Sequence, residues 1–309
     1  MSEDLEKING YSSIELISNQ VVEGFLTGLH KSPFHGFSVE FADFRAYNTG
    51  ESTRHIDWKL FARTDKLFIK KYEEETNLRC LLVIDNSSSM CFPLDKKGDF
   101  KNPNKLSFAI YASGAIISML YKQRDAFGIS LISDKIDYIS EIKSNFAHKR
   151  YIYTLLEQLL DKKHKSFPNK THIDTILHQL SEQIHRRSLV IIFSDLLSNE
   201  TTDEDFIHSL QHLKHNKHEV IVFHTIDSMK EENLDFKNRP YKFVDIETNE
   251  QIKLNPIQIR EEYSKFMEQK FKKIHNACNQ LKIDFVECDI NKDFSQVLLP
   301  YFLKRTRLK

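Results

Sequence analysis

Glycine is scarce in this chain: eight residues in 309. No G-x-x-x-x-G-K-[ST] run occurs, so the backbone cradle of a nucleotide phosphate loop is missing, and so is the G-x-S-x-G elbow of a serine hydrolase. Charge excess of either sign is also absent. Forty-four Lys and Arg balance 44 Asp and Glu, for a formal net charge of zero. A general nucleic-acid surface therefore has no support from bulk charge. The four cysteines, Cys80, Cys91, Cys278 and Cys288, show no C-x-x-C spacing. This pattern predicts a reducing compartment and no structural zinc. No apolar run approaches the ~20 residues of a membrane span. The opening MSEDLEKING has neither the basic end nor the apolar stretch of a signal peptide. The expected setting is a bacterial-type cytoplasm, with any membrane association made through partners.

What is present is a rhythm. Residues 1–26 read as a helical lead-in, with Ile14, Leu16, Ile17, Val21, Val22 and Phe25 apolar. Residues 27–77 read as a β-rich segment: Phe37, Val39 and Phe41 alternate, Tyr47 to Gly50 marks a turn, and Leu67, Ile69 and Tyr72 suggest a further strand. From about residue 78 to 309, strands and helices alternate. CLLVI (80–84) and LVIIF (189–193) are continuous apolar runs of the kind buried in parallel sheets, and Val220 to Phe223 is a third. Phe127 to Ile132 and Ile136 to Ile139 can pair about Ser133–Lys135. Residues 241–254 predict a hairpin, and Asn255-Pro256 opens a helix running to about Gln280. A strand at 283–286 and a helix at 293–303 follow. The expected fold is α/β: a mostly parallel sheet flanked by helices in three layers, with a small β-rich N-terminal extension.

Five residues stand at strand ends or before a helix in the pattern. Asp85, Ser87 and Ser89 lie in DNSSSM directly after the first buried strand. Thr171 precedes a helix, and Asp195 follows the second buried strand after Ser194. In open α/β sheets, ligands bind beyond the carboxyl ends of the strands, where the topology switches. Three loops can therefore converge on one crevice. Their donors are hard oxygens, which suit magnesium, with manganese or calcium as alternatives. Two carboxylates under-neutralise a dication, so an incoming Asp or Glu from a protein partner would complete the site. Each residue also has a plainer role: Thr171-x-x-Asp174 is a capping pattern, Ser87 and Ser89 are turn formers, and Asp195 could cap the helix near 203–213.

DNSSSM, Thr171 and the Asp of IIFSD resemble the metal-ion-dependent adhesion site of von Willebrand factor A domains. The block from His30 to Glu75, with IDWK inside it, is similar to the one defining domain-of-unknown-function family 58. VDIETNEQIKLN, the helix around Tyr263 and the final YFLKRTR fit the same pattern. Two positions depart from it: Lys170 stands before Thr171 where such sites carry glycine, and Glu51 follows Gly50 where aspartate is usual. The resemblance implies a von Willebrand A-like fold and an adaptor or chaperone-like partnership with a MoxR-type AAA+ ATPase. It implies no established enzymatic activity. The expectation is a non-enzymatic binding module holding Mg2+ through Asp85, Ser87, Ser89, Thr171 and Asp195. The alternative is a metal-dependent hydrolase or phosphoryl-transfer enzyme using the same site.

Two other groupings arise. Arg45, Arg54, Asp57, Trp58, Lys59 and Arg63 form either a docking surface or a bracing ion-pair network, with the lone tryptophan expected to pack. His208, His212, His215 and His218 suggest zinc, but no nearby carboxylate or cysteine in the sequence completes a site. A solvated helix end is expected.

Overall fold

The computed structural model describes residues 13–30, 44–46, 58–70, 78–161, 173–197, 202–246, 248, 250–294 and 297–298. The chain divides into two compact units: Thr27–Asn77, and Met1–Leu26 together with Leu78–Lys309. In the smaller unit, strands β1 (Phe44–Ala46) and β2 (Phe68–Lys70) pair antiparallel, and helix α2 (Trp58–Thr64) lies between them in sequence. The expected strand around Phe37–Phe41 and the turn at 47–50 lie outside the described residues. Two findings differ from the sequence pattern. The segment after IDW is helical, and Trp58 is 59% exposed rather than packed, with its ring edge-on to Phe61.

The larger unit is built on a six-stranded sheet. Its strands are β3 (Arg79–Asp85), β4 (Ala126–Ile132), β5 (Ile136–Ile139), β6 (Leu189–Ser194), β7 (Glu219–Ile226) and β10 (Asp284–Asp289). They lie in the order β10-β7-β6-β3-β4-β5, all parallel except the edge strand β5. Alternation along each strand divides the core in two. Cys80, Leu82, Ile84, Leu189, Ile191, Phe193, Ile221 and Phe223 face one layer. It includes helices α1 (Ser13–His30), α3 (Lys105–Lys122) and α4 (Phe146–Asp161). Leu81, Val83, Val190, Ile192, Val220 and Val222 face the other, with α5 (Ile173–Gln183), α6 (Asp203–His215) and α7 (Pro256–Gln280). Because both faces are covered, these strands carry no polar alternation, which explains their continuous apolar sequence. The short strands β8 (Tyr241–Val244) and β9 (Gln251–Leu254) form the expected hairpin, and Asn255 caps α7 with Pro256 in its first turn. Of the expected last helix, Phe294, Val297 and Leu298 are described and buried; most of the rest lies outside the described residues.

Helix α1 is part of this core. Ile14 and Val22 are buried in it, Glu15 pairs with Lys149 at 2.7 Å, and Ser13 Oγ donates to Glu157. Its close approach to α3 requires Gly114. A Cβ there would stand 2.5 Å from Ser18 Oγ and 3.0 Å from Ile14 Cγ2. Gly114→Ala should therefore lower stability by about 1–2 kcal/mol, although alanine is the better helix former by ~1 kcal/mol. Adding Ser18→Ala should recover much of the loss. Urea midpoints decide it: an alanine variant at or above the parent midpoint would mean that α1 does not pack this closely.

The strand order fixes where a site can form. The chain passes from β3 through α3 to β4 on one side, and later returns to β6 on the other. The switch lies between β3 and β6, whose carboxyl ends carry Asp85 and Asp195.

Candidate metal centre

Asp85 ends β3 and is buried. Its Oδ1 accepts the amide of Ser87 at 3.0 Å, and its Oδ2 accepts the hydroxyl of Ser194 at 2.7 Å. Ser88–Cys91 forms a short 3-10 turn directly behind, which brings Ser89 Oγ within 3.0 Å of Ser87 Oγ. Ser89 also hydrogen-bonds the Asp195 carboxylate. Asp85, Ser87, Ser89 and Asp195 thus converge at the carboxyl ends of β3 and β6. Thr171 lies outside the described residues. Asp195 caps no helix in this arrangement: α6 is capped by Thr202, in a reciprocal box with Asp205.

The backbone after Asp195 is strained. Leu196 has φ of 54°, in the left-handed region that non-glycine residues seldom occupy. This turn directs the Leu196 amide to Ser194 Oγ and the Leu197 amide to Asp195 Oδ1, both at 3.2 Å. Strain held in place by such bonds is typical of functional loops.

Two further charged groups belong to the cluster. Lys105, the first residue of α3, is completely buried. Its Nζ donates to Asp195 Oδ2 at 2.7 Å and to Glu231 Oε1 at 2.5 Å. Glu231 lies in a π-turn (Ser228–Glu232) after β7, and its other oxygen accepts the Asp227 amide at 2.9 Å. Glu231 thus adds a third carboxylate to the two the sequence counts, and Asp195 and Glu231 share one ammonium. Lysine is unexpected at a helix N-terminus, where the macrodipole disfavours cations. That misplacement, at the head of the otherwise uncharged KLSFAIYASGAI, is the signal that could have found it. Glu231 gives none, because SMKEE reads as an ordinary surface turn.

The ionisation pattern follows from this geometry. Burial drives the Asp85 carboxyl up, and the charge of Asp195 adds to it; the bonds from Ser194 and Ser87 offset this only in part, leaving it at about 6. Burial would also raise Asp195, but the Lys105 ammonium reverses that and holds it below its ordinary value. Lys105 is itself raised: burial opposes its charge, but Asp195 and Glu231 more than compensate. Glu231 stays raised, because burial and the field of Asp195 outweigh its share of the same ammonium. Burial pushes His224, which meets the Asp195 carbonyl at 3.2 Å, down to about 4. It is neutral and adds no charge.

The donor set suits a hard dication. All its oxygens come from carboxylates and hydroxyls, and among the described residues no cation pairs with Asp85. Asp85, Ser87 and Ser89 are the residues that would hold such an ion. Asp195 already has one oxygen on Lys105 and the other on the Leu197 amide. The cluster opens through Ser89 and Glu231 onto a groove of about 650 Å3, lined also by Phe92, Leu197, Phe243 and Tyr263.

The sheet order, its single antiparallel edge strand and the two helical layers define a von Willebrand factor A-like α/β domain. The chain belongs to the family described as "Protein of unknown function DUF58", which it matches over residues 43–273. It is 31% identical over 80 residues to the "Uncharacterized protein Rv1480" of Mycobacterium tuberculosis and the "Uncharacterized protein Mb1516" of Mycobacterium bovis. Each match covers 26% of this chain and 25% of the relative, so it spans about a quarter of their length. Among solved structures it is similar to BatB from Bacteroides thetaiotaomicron, at TM-score 0.43 and 12% identity, over 74% of this chain and 99% of that one. An aerotolerance-related membrane protein from Bacteroides fragilis matches at 0.42 and 12%, over 75% and 100%. The VWA domain of SpRpn10 matches at 0.36 and 13%, over 74% and 94%. The fold stands on the strand order and directions, not on these likenesses. Among the described residues, no helix is long and apolar enough to cross a membrane.

Proposed function

We propose that this chain is a non-enzymatic protein-binding module whose contact with its partner runs through a magnesium ion at Asp85, Ser87 and Ser89. One observation carries this: a buried cluster of hard oxygens, with surplus negative charge among the described residues, opens through Ser89 onto a partly apolar groove. A dication would relieve the charge on Asp85. The groove offers apolar contact beside it for a partner segment that presents an Asp or Glu. Manganese or calcium would suit the same oxygens. Lys105 and Glu231 alter the recognition argument. A dication brings three carboxylates and one ammonium to formal balance, so the partner carboxylate is drawn by an open ligand position rather than by excess positive charge. The family resemblance suggests a MoxR-type AAA+ ATPase as that partner.

Calorimetric titration with Mg2+ should give one site, weakened on the order of tenfold or more in Asp85→Ala and in Ser87→Ala. Binding of a purified MoxR-type ATPase should be lost with chelator and in Asp85→Ala. Complex formation that survives both would remove the metal from the interaction. Absence of any Mg2+ isotherm would remove it from the chain.

A further inference from the structure

Helices α5 and α6 lie side by side against the sheet, with Ile176, Leu177, Leu180, Phe206, Leu210 and Leu213 packed in one core beneath them. Above that core, α5 presents His178 and Glu182, one helical turn apart on the same face. The facing side of α6 presents His212. The ligand atoms of the three side chains all lie within 4.8 Å of one another. The imidazole rings of His178 and His212 are 3.8 Å apart between centroids, tilted by 41°. The sequence places four histidines near the end of α6 but no carboxylate to join them. The structure supplies Glu182 from the neighbouring helix.

We propose that His178, Glu182 and His212 form a binding site for a first-row transition dication of the zinc type, which clamps α5 to α6. The proposal is independent of the magnesium reading. Two imidazoles and one carboxylate form the donor set of an open zinc site, with water filling the remaining positions. Imidazole nitrogens also sort the ions: zinc, nickel, copper and cobalt accept them, whereas magnesium and calcium demand oxygen.

A second observation separates this cluster from a solvated histidine pair. Nε2 of His212 is buried and, among the described residues, has no hydrogen-bond partner. A buried polar nitrogen left so is costly, and a bound ion would satisfy it. The geometry needs only a small closure. Ligand atoms about 2.1 Å from a tetrahedral ion stand about 3.4 Å apart, and His178 and Glu182 are exposed side chains free to close the difference. The cluster lines a groove of about 670 Å3 together with His208 and His215, so an ion has a route in.

The test uses the full chain, stripped of metal and titrated with Co2+ in excess Mg2+, which occupies oxygen sites. One saturable equivalent should bind, with visible d–d absorption that Zn2+ abolishes, and Zn2+ should raise the Tm. His178→Ala and His212→Ala should each weaken binding on the order of tenfold or more, and Glu182→Gln should weaken it less. Asp85→Ala should leave the Co2+ isotherm unchanged. His178 and Glu182 are exposed, so their variants report binding even if His212→Ala folds poorly. No saturation below millimolar Co2+, unchanged affinity in His178→Ala, or loss of the signal in Asp85→Ala would each overturn the proposal.

Discussion

Replacing Lys105 with methionine is expected to destabilise the fold by about 3–5 kcal/mol. The ammonium is fully buried, and its two partners are nearly so, with side-chain exposures of 3% for Asp195 and 12% for Glu231. Methionine keeps most of the volume, so cavity formation contributes little. The cost is that of leaving two carboxylates in the interior without their cation. The pH dependence gives the sign. In the parent, Asp195 is held below its ordinary value. Its contribution is present above the unfolded pKa and is lost as pH falls through the lower folded one. Without Lys105, burial raises Asp195 as well and lifts the already raised Glu231 further in the folded state, and stability is lost as pH rises through those values. The urea midpoints of variant and parent should therefore lie furthest apart near pH 8 and converge toward pH 5. Adding Asp195→Asn and Glu231→Gln to Lys105→Met should restore much of the stability, because the uncompensated charges leave with the ammonium. A Lys105→Met unfolding free energy within about 1 kcal/mol of the parent's at pH 8 would mean that these carboxylates are solvated.

Lys105 also marks where sequence reading stops. β3, β6 and β7 are legible because strands covered on both faces leave unbroken apolar runs: CLLVI, LVIIF and VIVF. Asp85 and Asp195 are legible for the same reason, since each marks the end of such a run. The hairpin at β8–β9 and the start of α7 are written in local turn and capping chemistry. Lys105 and Glu231 are not local. They lie 126 residues apart and meet only because the start of α3 and the turn after β7 both lie over the carboxyl ends of the central strands. The pairing of Glu182 with His212 has the same cause, as helices from different crossovers lie in contact. Trp58 fails differently: its helix carries an aromatic ring outward, and a single residue type says nothing of which way it faces.

Magnesium is expected to raise the Tm strongly at pH 8 and little at pH 5. Burial and the Asp195 charge lift Asp85 from 3.8 to about 6 in the folded chain. The folded state therefore binds the proton more tightly than the unfolded state, and metal-free stability falls as pH rises from about 4 through about 6. Above that range, the ionised Asp85 costs on the order of 3 kcal/mol relative to a solvated carboxylate. A dication at Asp85, Ser87 and Ser89 removes this penalty where the carboxyl is ionised, and it must displace a proton where it is not. Ligand stabilisation grows with the logarithm of metal concentration over Kd, so the contrast should persist across a Mg2+ series. Asp85→Asn supplies the control. Without the buried charge, the metal-free Tm at pH 8 should rise above the parent's, and the Mg2+ response should vanish. A Mg2+ shift of equal size at both pH values, or one retained in Asp85→Asn, would place the ion elsewhere. An unchanged metal-free Tm in Asp85→Asn would mean that Lys105 already balances Asp85 as well as Asp195, and that the cluster has no surplus charge to attract a dication.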